Sequence, residues 1–299
     1  MKIHTIDLRF FGEPGLIAGY LVEGESGLAL VETGPASTGE ALRSGIEALG
    51  FSTGDVRDVL VTHIHLDHSG GAGWWARGGA TVYVHPRGAR HLVDPTKLLA
   101  GAAEIYGDRM EELWGETLAC PEERVKAVAD GEEVRVGDLV FTAWDTPGHA
   151  RHHHCWAIED VAFVGDVAGV KLPGSSYVSV AAAPPQFDPV AYGESIDRLM
   201  GAELREIYPT HFGVVEDVGG HLERYRDLVE GASEVVRDEV ERGATRGEIV
   251  DGYEKFLGRM AMEQGAGGEG WRAHEVHNPA AMNADGIALY WEGKKEGVK

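Results

Sequence analysis

The 299-residue sequence contains only two cysteines, Cys120 and Cys155, and no apolar run near the ~20 residues that a membrane-spanning helix needs. Two cysteines are too few for a disulfide-stabilised scaffold, so we expect two small buried thiols in a reducing compartment. Residues 1–7 have the pattern of a strand, without the apolar core of a signal peptide behind a basic end. We therefore predict a cytoplasmic protein with no membrane partner.

Basic residues are also scarce. The chain has 27 Lys and Arg against 49 Asp and Glu, which gives a net charge of −22. A surface of this sign repels phosphate backbones, which argues against nucleic acid as a partner. A small-molecule substrate is the remaining expectation. The sequence leaves the oligomeric state open, with a homodimer among the alternatives.

The most informative segment is residues 63–68, which read His-Ile-His-Leu-Asp-His and follow a strand-like run over 56–62. Alternate residues of an extended chain point the same way, so His63 and His65 can bind one metal ion together. Asp67 and His68 fall where the chain turns and are free to face a second ion. Imidazole nitrogen and carboxylate oxygen suit divalent metals, so this segment predicts a metal site.

Three later residues supply further candidate ligands. His149 lies in a Pro-Gly turn after a strand, Asp166 follows a strand and a glycine, and His211 follows another strand. Sites in layered α/β proteins are usually built at the carboxyl ends of strands. Ligand types at three such strand ends, after the segment 63–68, support a site assembled from distant parts of the chain.

The order of elements predicts the fold class. Runs typical of strands alternate with runs of helical spacing, which indicates a layered α/β sandwich. A long helix-prone stretch over 86–124 interrupts this alternation, and we interpret it as a helical insertion. A second helical region begins near residue 217 and is predicted as a C-terminal extension over 217–299. We expect one domain over 1–299.

Taken in order, these signatures resemble the metallo-β-lactamase-fold hydrolase superfamily over about residues 1–230, with Glu32-Thr33-Gly34 as a further match. The resemblance implies a four-layer αββα sandwich with metal ligands on loops at one sheet edge. It also implies a ligand set: His63, His65 and His149 for the first ion, Asp67, His68 and His211 for the second, and Asp166 bridging both. Glu32 departs mildly, because relatives often carry Asp there in a supporting role.

The ligand types indicate which branches of the superfamily this chain resembles. Asp166 stands where the true zinc β-lactamases carry Cys or Ser, and His65 stands where the diiron flavoproteins carry Glu. What remains resembles the glyoxalase II and lactonase branches. His153 matches the His of a Gly-His pair that glyoxalase II members favour, although His152 replaces the Gly. The Tyr that lactonases place soon after the bridging Asp is absent, because residues 167–169 read Val-Ala-Gly.

These features predict a binuclear metal-dependent hydrolase. Zn is the default metal, and Fe and Mn fit the same ligands. A hydroxide held by two divalent ions would attack the acyl carbon of a thioester, ester or lactone, with one metal stabilising the oxyanion. Asp67 or Asp166 would assist proton transfer to the leaving group. Tyr106, in the helical insertion, and His153 are the candidate substrate contacts.

Three other interpretations stay open at this point. A non-catalytic metal-stabilised module would be expected to have lost a ligand, and all seven are present. A mononuclear iron oxygenase of the persulfide dioxygenase type would use a subset such as His63, His149 and Asp166. A phosphodiesterase or nuclease could use the same metals, but the charge of −22 and the lack of a basic stripe count against it.

Overall fold

The computed structural model describes residues 1–276, 278–295 and 297. The chain forms two compact units. The first comprises Met1–Asp145 and His152–Gly165, and the second comprises Thr146–Arg151 and the described residues from Asp166 onward. The single domain expected over 1–299 stays a prediction.

A six-stranded sheet in the first unit has the strand order β1-β2-β3-β4-β5-β6. Its strands are β1 Lys2–Asp7, β2 Ala18–Glu23, β3 Leu28–Val31, β4 Asp58–Leu60, β5 Thr81–Val84 and β6 Val125–Ala127. Strands β2 and β3 form an antiparallel hairpin with Tyr20 opposite Val31, as the apolar runs on either side of the Gly-bearing turn over 23–27 predict. From β3 to β6 neighbouring strands are parallel, so the carboxyl ends of β3 and β4 meet at one edge.

The first unit also contains four antiparallel strands in sequence order: β7 Glu133–Val136, β8 Leu139–Asp145, β9 His154–Ile158 and β10 Val161–Gly165. The edge strand β7 alternates exposed and buried residues. Every residue of β9 and β10 is buried, on both faces of the sheet. These two inner strands therefore belong to the core of the unit.

Helices flank the strands of the first unit: α1 Gly39–Ala48, α2 Leu66–Ser69, α3 Ala72–Arg77, α4 Pro86–Val93, α5 Thr96–Tyr106 and α6 Met110–Trp114. Helix α1 buries Leu42 and Ile46, as its helical spacing predicts. Helix α4 begins at Pro86, whose fixed φ suits the first turn. The helical insertion is confirmed over 86–114, with one further short helical turn at Glu122–Arg124.

The second unit contains β11 Val170–Lys171, β12 Val178–Ser179, α7 Pro189–Met200, β13 Glu206–Pro209, α8 Val218–Arg242, α9 Arg246–Glu263 and α10 Ala280–Lys295. The predicted C-terminal helices are confirmed. Helix α8 is capped by Asp217, and α9 begins with a capping box in which Thr245 and Glu248 bond each other's backbone N–H. None of the helices in the described part of the chain has the length and apolar character to cross a bilayer.

His221, on the buried face of α8, generates a prediction on pH and stability. It is 1% exposed, and its Nε2 lies 2.8 Å from the Ala168 carbonyl oxygen. Burial lowers the pKa of His221 to about 4. An unfolded histidine titrates near ~6.5, so the contribution of neutral His221 to the unfolding free energy is complete above that pH and is lost as the pH falls toward 4.

For metal-free protein, we expect His221→Gln to flatten the pH dependence of the unfolding free energy by up to ~1.4 kcal/mol per pH unit. Urea unfolding between pH 7 and 4.5 measures this slope, and identical slopes would contradict the assignment.

Candidate metal centre

Residues 63–68 leave the carboxyl end of β4 and enter a single helical turn. The strand expected over 56–62 is shorter than predicted, because β4 ends at Leu60. Residues 61–65 continue outside regular structure, and His65 occupies the extended position before α2. Asp67 and His68 lie on that helical turn, which agrees with the expectation that they follow a change of direction.

The donor atoms of these residues are spaced as ligands of divalent ions. His63 Nε2 lies 3.0 Å from His65 Nδ1, and His68 Nε2 lies 3.6 Å from Asp67 Oδ2. Two ligands held 2.0–2.1 Å from a tetrahedral zinc ion are ~3.3 Å apart. The 3.6 Å between His68 Nε2 and Asp67 Oδ2 is too long for a hydrogen bond. Imidazole and carboxylate groups at these distances fit a shared cation.

In the second unit, Asp166 lies between two imidazoles. Its Oδ2 is 3.4 Å from His149 Nε2, and its Oδ1 is 3.6 Å from His211 Nε2. All three residues are at most 4% exposed. Each carboxylate oxygen therefore faces a different histidine, an arrangement that suits a carboxylate shared by two ions.

The seven predicted ligands all belong to the candidate His and Asp ligand groups of the structure: His63, His65, Asp67, His68, His149, Asp166 and His211. Five of them are buried, namely His63, His68, His149, Asp166 and His211, whereas His65 and Asp67 are part-exposed. Buried ionisable groups of this kind are stable when they are paired or bind a metal. The donor set fits divalent metal ions.

Glu32 and Thr62 orient two of the histidines. Glu32, 1% exposed at the end of β3, has Oε1 accepting from the Thr62 hydroxyl and lying 3.4 Å from His68 Nδ1. The Thr62 hydroxyl proton goes to Glu32, so its oxygen accepts from His63 Nδ1–H at 3.1 Å. Both imidazoles then carry their lone pair on Nε2, the atom needed for a metal. The sequence analysis missed Thr62, although a hydroxyl residue directly before the first histidine was a visible signal.

Tyr106 lies at the end of α5, beside the part-exposed ligand Asp67. Burial raises the pKa of the Tyr106 phenol, and the negative charge of Asp67 raises it further. The Tyr106 ring packs edge-on against Trp114 at 5.0 Å, and Trp114 stacks on Phe10 at 5.7 Å. We call Phe10, Phe11, Tyr106 and Trp114 the aromatic wall. Tyr106 therefore packs against another aromatic ring and also lies near Asp67.

His153, the other predicted substrate residue, is fully buried. Its ring centroid lies 5.0 Å from that of His63.

His85 and His154 have other partners. His85 Nε2 lies 2.9 Å from Asp145 Oδ1, and His154 Nε2 lies 3.1 Å from the Val61 carbonyl oxygen. Burial lowers the pKa of His154 to about 3, which keeps this imidazole neutral. His154 therefore serves packing and hydrogen bonding.

Comparison with known proteins identifies the family. The sequence profile of the metallo-beta-lactamase superfamily matches residues 12–211, a span that includes every candidate ligand. The chain belongs to this superfamily. Its members are mostly hydrolytic metalloenzymes that bind divalent metals. The resemblance inferred from the motifs is confirmed, and so is the mixed α/β fold of the metallo-β-lactamase type.

Three relatives and one solved structure illustrate the range of the superfamily. A metallo-beta-lactamase fold-containing protein from Sulfurisphaera tokodaii is 26% identical over 255 residues, covering 83% of this chain and 91% of its own. The solved structure of an archaeal superfamily protein from Sulfolobus tokodaii superposes with a TM-score of 0.63 at 25% identity, covering 75% of this chain and 84% of that one.

The other two relatives carry names that specify a reaction. An atrochrysone carboxyl ACP thioesterase from Aspergillus fumigatus is 26% identical, covering 67% of this chain. A hydroxyacylglutathione hydrolase from a Methylobacterium species is 30% identical over 123 residues, covering 40% of this chain. This chain spans only 40% and 37% of their lengths, respectively.

Gly165, the residue before Asp166, generates a prediction on the site's framework. It has φ of +49°, and a Cβ there would lie 2.5 Å from Thr62 Oγ1 and 2.6 Å from His153 Nε2. We expect Gly165→Ala to lower the unfolding free energy by ~2–4 kcal/mol, from left-handed strain plus overpacking. The matched control is Gly131→Ala, because Gly131 has φ of +77° but open space around the Cβ position. Urea denaturation compares the two variants, and equal losses would show that the close approach at Gly165 is unimportant.

Proposed function

We propose that this protein is a binuclear metal-dependent hydrolase that cleaves a thioester, with zinc as the metal. Esters and lactones undergo the same acyl chemistry and are the neighbouring substrate classes. Two relatives support the thioester: one is named a thioesterase, and the other a hydrolase of hydroxyacylglutathione, whose acyl group is bonded to sulfur. The observation that carries the proposal is the position of Asp166, with one carboxylate oxygen near each of two histidines.

The proposed ligand assignment follows the family pattern residue by residue. The first ion is assigned to His63, His65 and His149, the second to Asp67, His68 and His211, and Asp166 to both. The spacings of 3.0–3.6 Å between neighbouring donor atoms support it. Divalent ions bound here would supply a nucleophile at neutral pH by lowering the pKa of water, and would polarise the acyl oxygen.

The two aspartates are suited to different roles. The Asp67 side chain is 25% exposed, whereas the neighbouring His68 side chain is fully buried. An Asp67 carboxylate oxygen can therefore accept a proton from the attacking water and deliver it toward the leaving group. Both oxygens of Asp166 face imidazoles. We therefore propose that the Asp166 carboxylate stays in place and contributes its negative charge to the metal centre.

The aromatic wall is proposed to bind the acyl part of the substrate. Tyr106 is within the electrostatic reach of Asp67, and its ring continues through Trp114 to Phe10. Phe10 and Trp114 are buried behind the part-exposed rings of Phe11 and Tyr106, so these two rings would contact an apolar or aromatic acyl group. His153, next to His63, is proposed to orient that ligand or the substrate next to it.

The proposed function is tested by metal content together with a hydrolysis screen. Zinc-loaded protein should carry close to two ions per chain and hydrolyse aryl or alkyl acyl thioesters faster than a phosphodiester. His63→Ala should lose most of one ion and at least ~100-fold in rate, because it removes an ion that stabilises the transition state. The control is His91→Ala, a part-exposed histidine of α4 outside the ligand groups. Wild-type rate and metal content in His63→Ala would overturn the proposal.

A separate prediction concerns Tyr106. If the aromatic wall contacts the acyl group, Tyr106→Ala should raise KM for an aryl thioester by ~5–30-fold, the effect of losing about 1–2 kcal/mol of aromatic contact. Metal content should stay at two ions. Trp74→Ala is the control, because Trp74 is an aromatic residue 41% exposed on α3. An unchanged KM with a lower melting temperature would mean that Tyr106 serves packing alone.

A further inference from the structure

The orientation of His149 depends on one backbone carbonyl group. His149 Nδ1–H donates to the Ala181 carbonyl oxygen at 3.0 Å, which leaves the lone pair on Nε2, the atom 3.4 Å from Asp166 Oδ2. A histidine that binds a metal through one nitrogen needs its other N–H held in this way. Residues 179–182, here called the support segment, therefore determine where the His149 lone pair points.

Two tyrosines hold the support segment from one side. The Ala181 N–H donates to the Tyr225 hydroxyl at 3.4 Å, the Tyr225 hydroxyl donates to that of Tyr192 at 2.8 Å, and Tyr192 donates to the Asp166 carbonyl oxygen at 2.8 Å. Both tyrosines are fully buried, and burial raises the pKa of each phenol, so both remain donors. This chain of hydrogen bonds connects the backbone of Asp166 with Ala181, the residue whose carbonyl oxygen accepts from His149.

Two asparagines from the C-terminal region hold the support segment from its other side. The Ala182 N–H donates to Asn283 Oδ1 at 2.6 Å, and Asn278 Nδ2 donates to the Val180 carbonyl oxygen at 2.9 Å. Asn283 Nδ2 in turn donates to Asn278 Oδ1 at 2.7 Å. The two amides are 2% and 7% exposed, so their hydrogen bonds replace lost contacts with water.

Ser179, at the start of the support segment, is held by the same region. Its hydroxyl oxygen accepts from Asn278 Nδ2 at 2.8 Å and lies 2.9 Å from His274 Nδ1. Ser179 and His274 are 5% and 1% exposed. Each residue of the support segment is thus bonded to a buried side chain from a distant part of the chain. In a low-dielectric interior, loss of one member leaves its partner unsatisfied, so the network acts as a unit.

We propose that Asn278 and Asn283 are positioning residues for His149. Acting through the support segment, they keep the Ala181 carbonyl where it fixes the tautomer and the direction of the His149 imidazole. The inference rests on the proposed function, in which His149 binds a metal ion. It gives the C-terminal region a role in the metal centre that is separate from contact with substrate.

The test compares two variants that each remove a hydrogen-bonding side chain from the C-terminal helices. Asn283→Ala removes the acceptor of the Ala182 N–H together with the Nδ2 donor to Asn278 and Pro279. Ser233→Ala removes the acceptor of Trp291 Nε1–H, a part-buried 3.1 Å bond between α8 and α10 with no link to the support segment. Histidine nitrogen NMR of the metal-free protein reports the His149 tautomer. Competition with a chromophoric chelator reports zinc affinity.

We expect one His149 tautomer, protonated on Nδ1, in the wild type and in Ser233→Ala, and a mixture in Asn283→Ala. Zinc affinity of one site should fall by ~10–100-fold in Asn283→Ala, the usual effect of losing a residue that orients a ligand. Ser233→Ala should keep wild-type affinity. A single tautomer and wild-type affinity in folded Asn283→Ala would overturn the inference.

A second variant covers the case in which Asn283→Ala does not fold. Asn283→Asp keeps an acceptor for the Ala182 N–H and loses the Nδ2 donor to Asn278 Oδ1 and the Pro279 carbonyl oxygen. It should give a smaller shift of the same two measurements, and no shift would again overturn the inference. Two bound ions and thioester hydrolysis, without these shifts, would refute the positioning role alone. A tautomer shift in a protein that binds no zinc would refute the proposed function alone.

Discussion

The burial of the Asp166 carboxylate is the constraint on which the candidate site depends. This group is 4% exposed, and its two oxygens face the imidazoles of His149 and His211. A buried carboxylate is expensive unless nearby positive charge compensates it. Divalent cations between these donors would supply that compensation, which is why the site makes sense as a metal centre.

Backbone geometry supports the ligands at a measurable cost. Glu32 has φ of +65°, a conformation that disfavours residues with a Cβ by ~1–2 kcal/mol. In return, its carboxylate reaches both Thr62 and His68. Gly165 has the same left-handed conformation, and there the absence of a side chain leaves room for Thr62 and His153. Positive φ at Glu32 and Gly165 thus occurs at residues that orient or precede candidate ligands.

Much of the fold could be predicted from local patterns. The hairpin β2–β3, the helix α1 and the whole of α7 follow from alternation, helical spacing and capping, which are properties of neighbouring residues. The strand before residues 63–68 was predicted too long, because an apolar run over 56–62 does not reveal that the chain leaves the sheet after Leu60. The three-residue edge strand β6 has no distinctive pattern and was not predicted.

The candidate ligands were recognisable from the sequence, but the residues that orient them were not. A candidate ligand such as His149 has a recognisable local setting in a Pro-Gly turn, and family order adds to it. The bond from Ala182 to Asn283 joins residues 101 positions apart, and neither residue has a local signature. Hydrogen bonds of this kind depend on tertiary packing, which composition and periodicity do not encode. The same reason explains why Tyr192, a typical core residue of α7 in sequence, was not recognised as a partner of Asp166.

X-ray absorption fine structure of the protein loaded with two equivalents of zinc tests the central claim most directly. The proposed centre predicts imidazole scattering around each ion and a zinc–zinc distance of about 3.5–4 Å. The metal–metal signal should disappear in Asp166→Asn, which removes the negative charge assigned to both ions. A single zinc environment with no metal–metal signal in the wild-type protein would contradict the account.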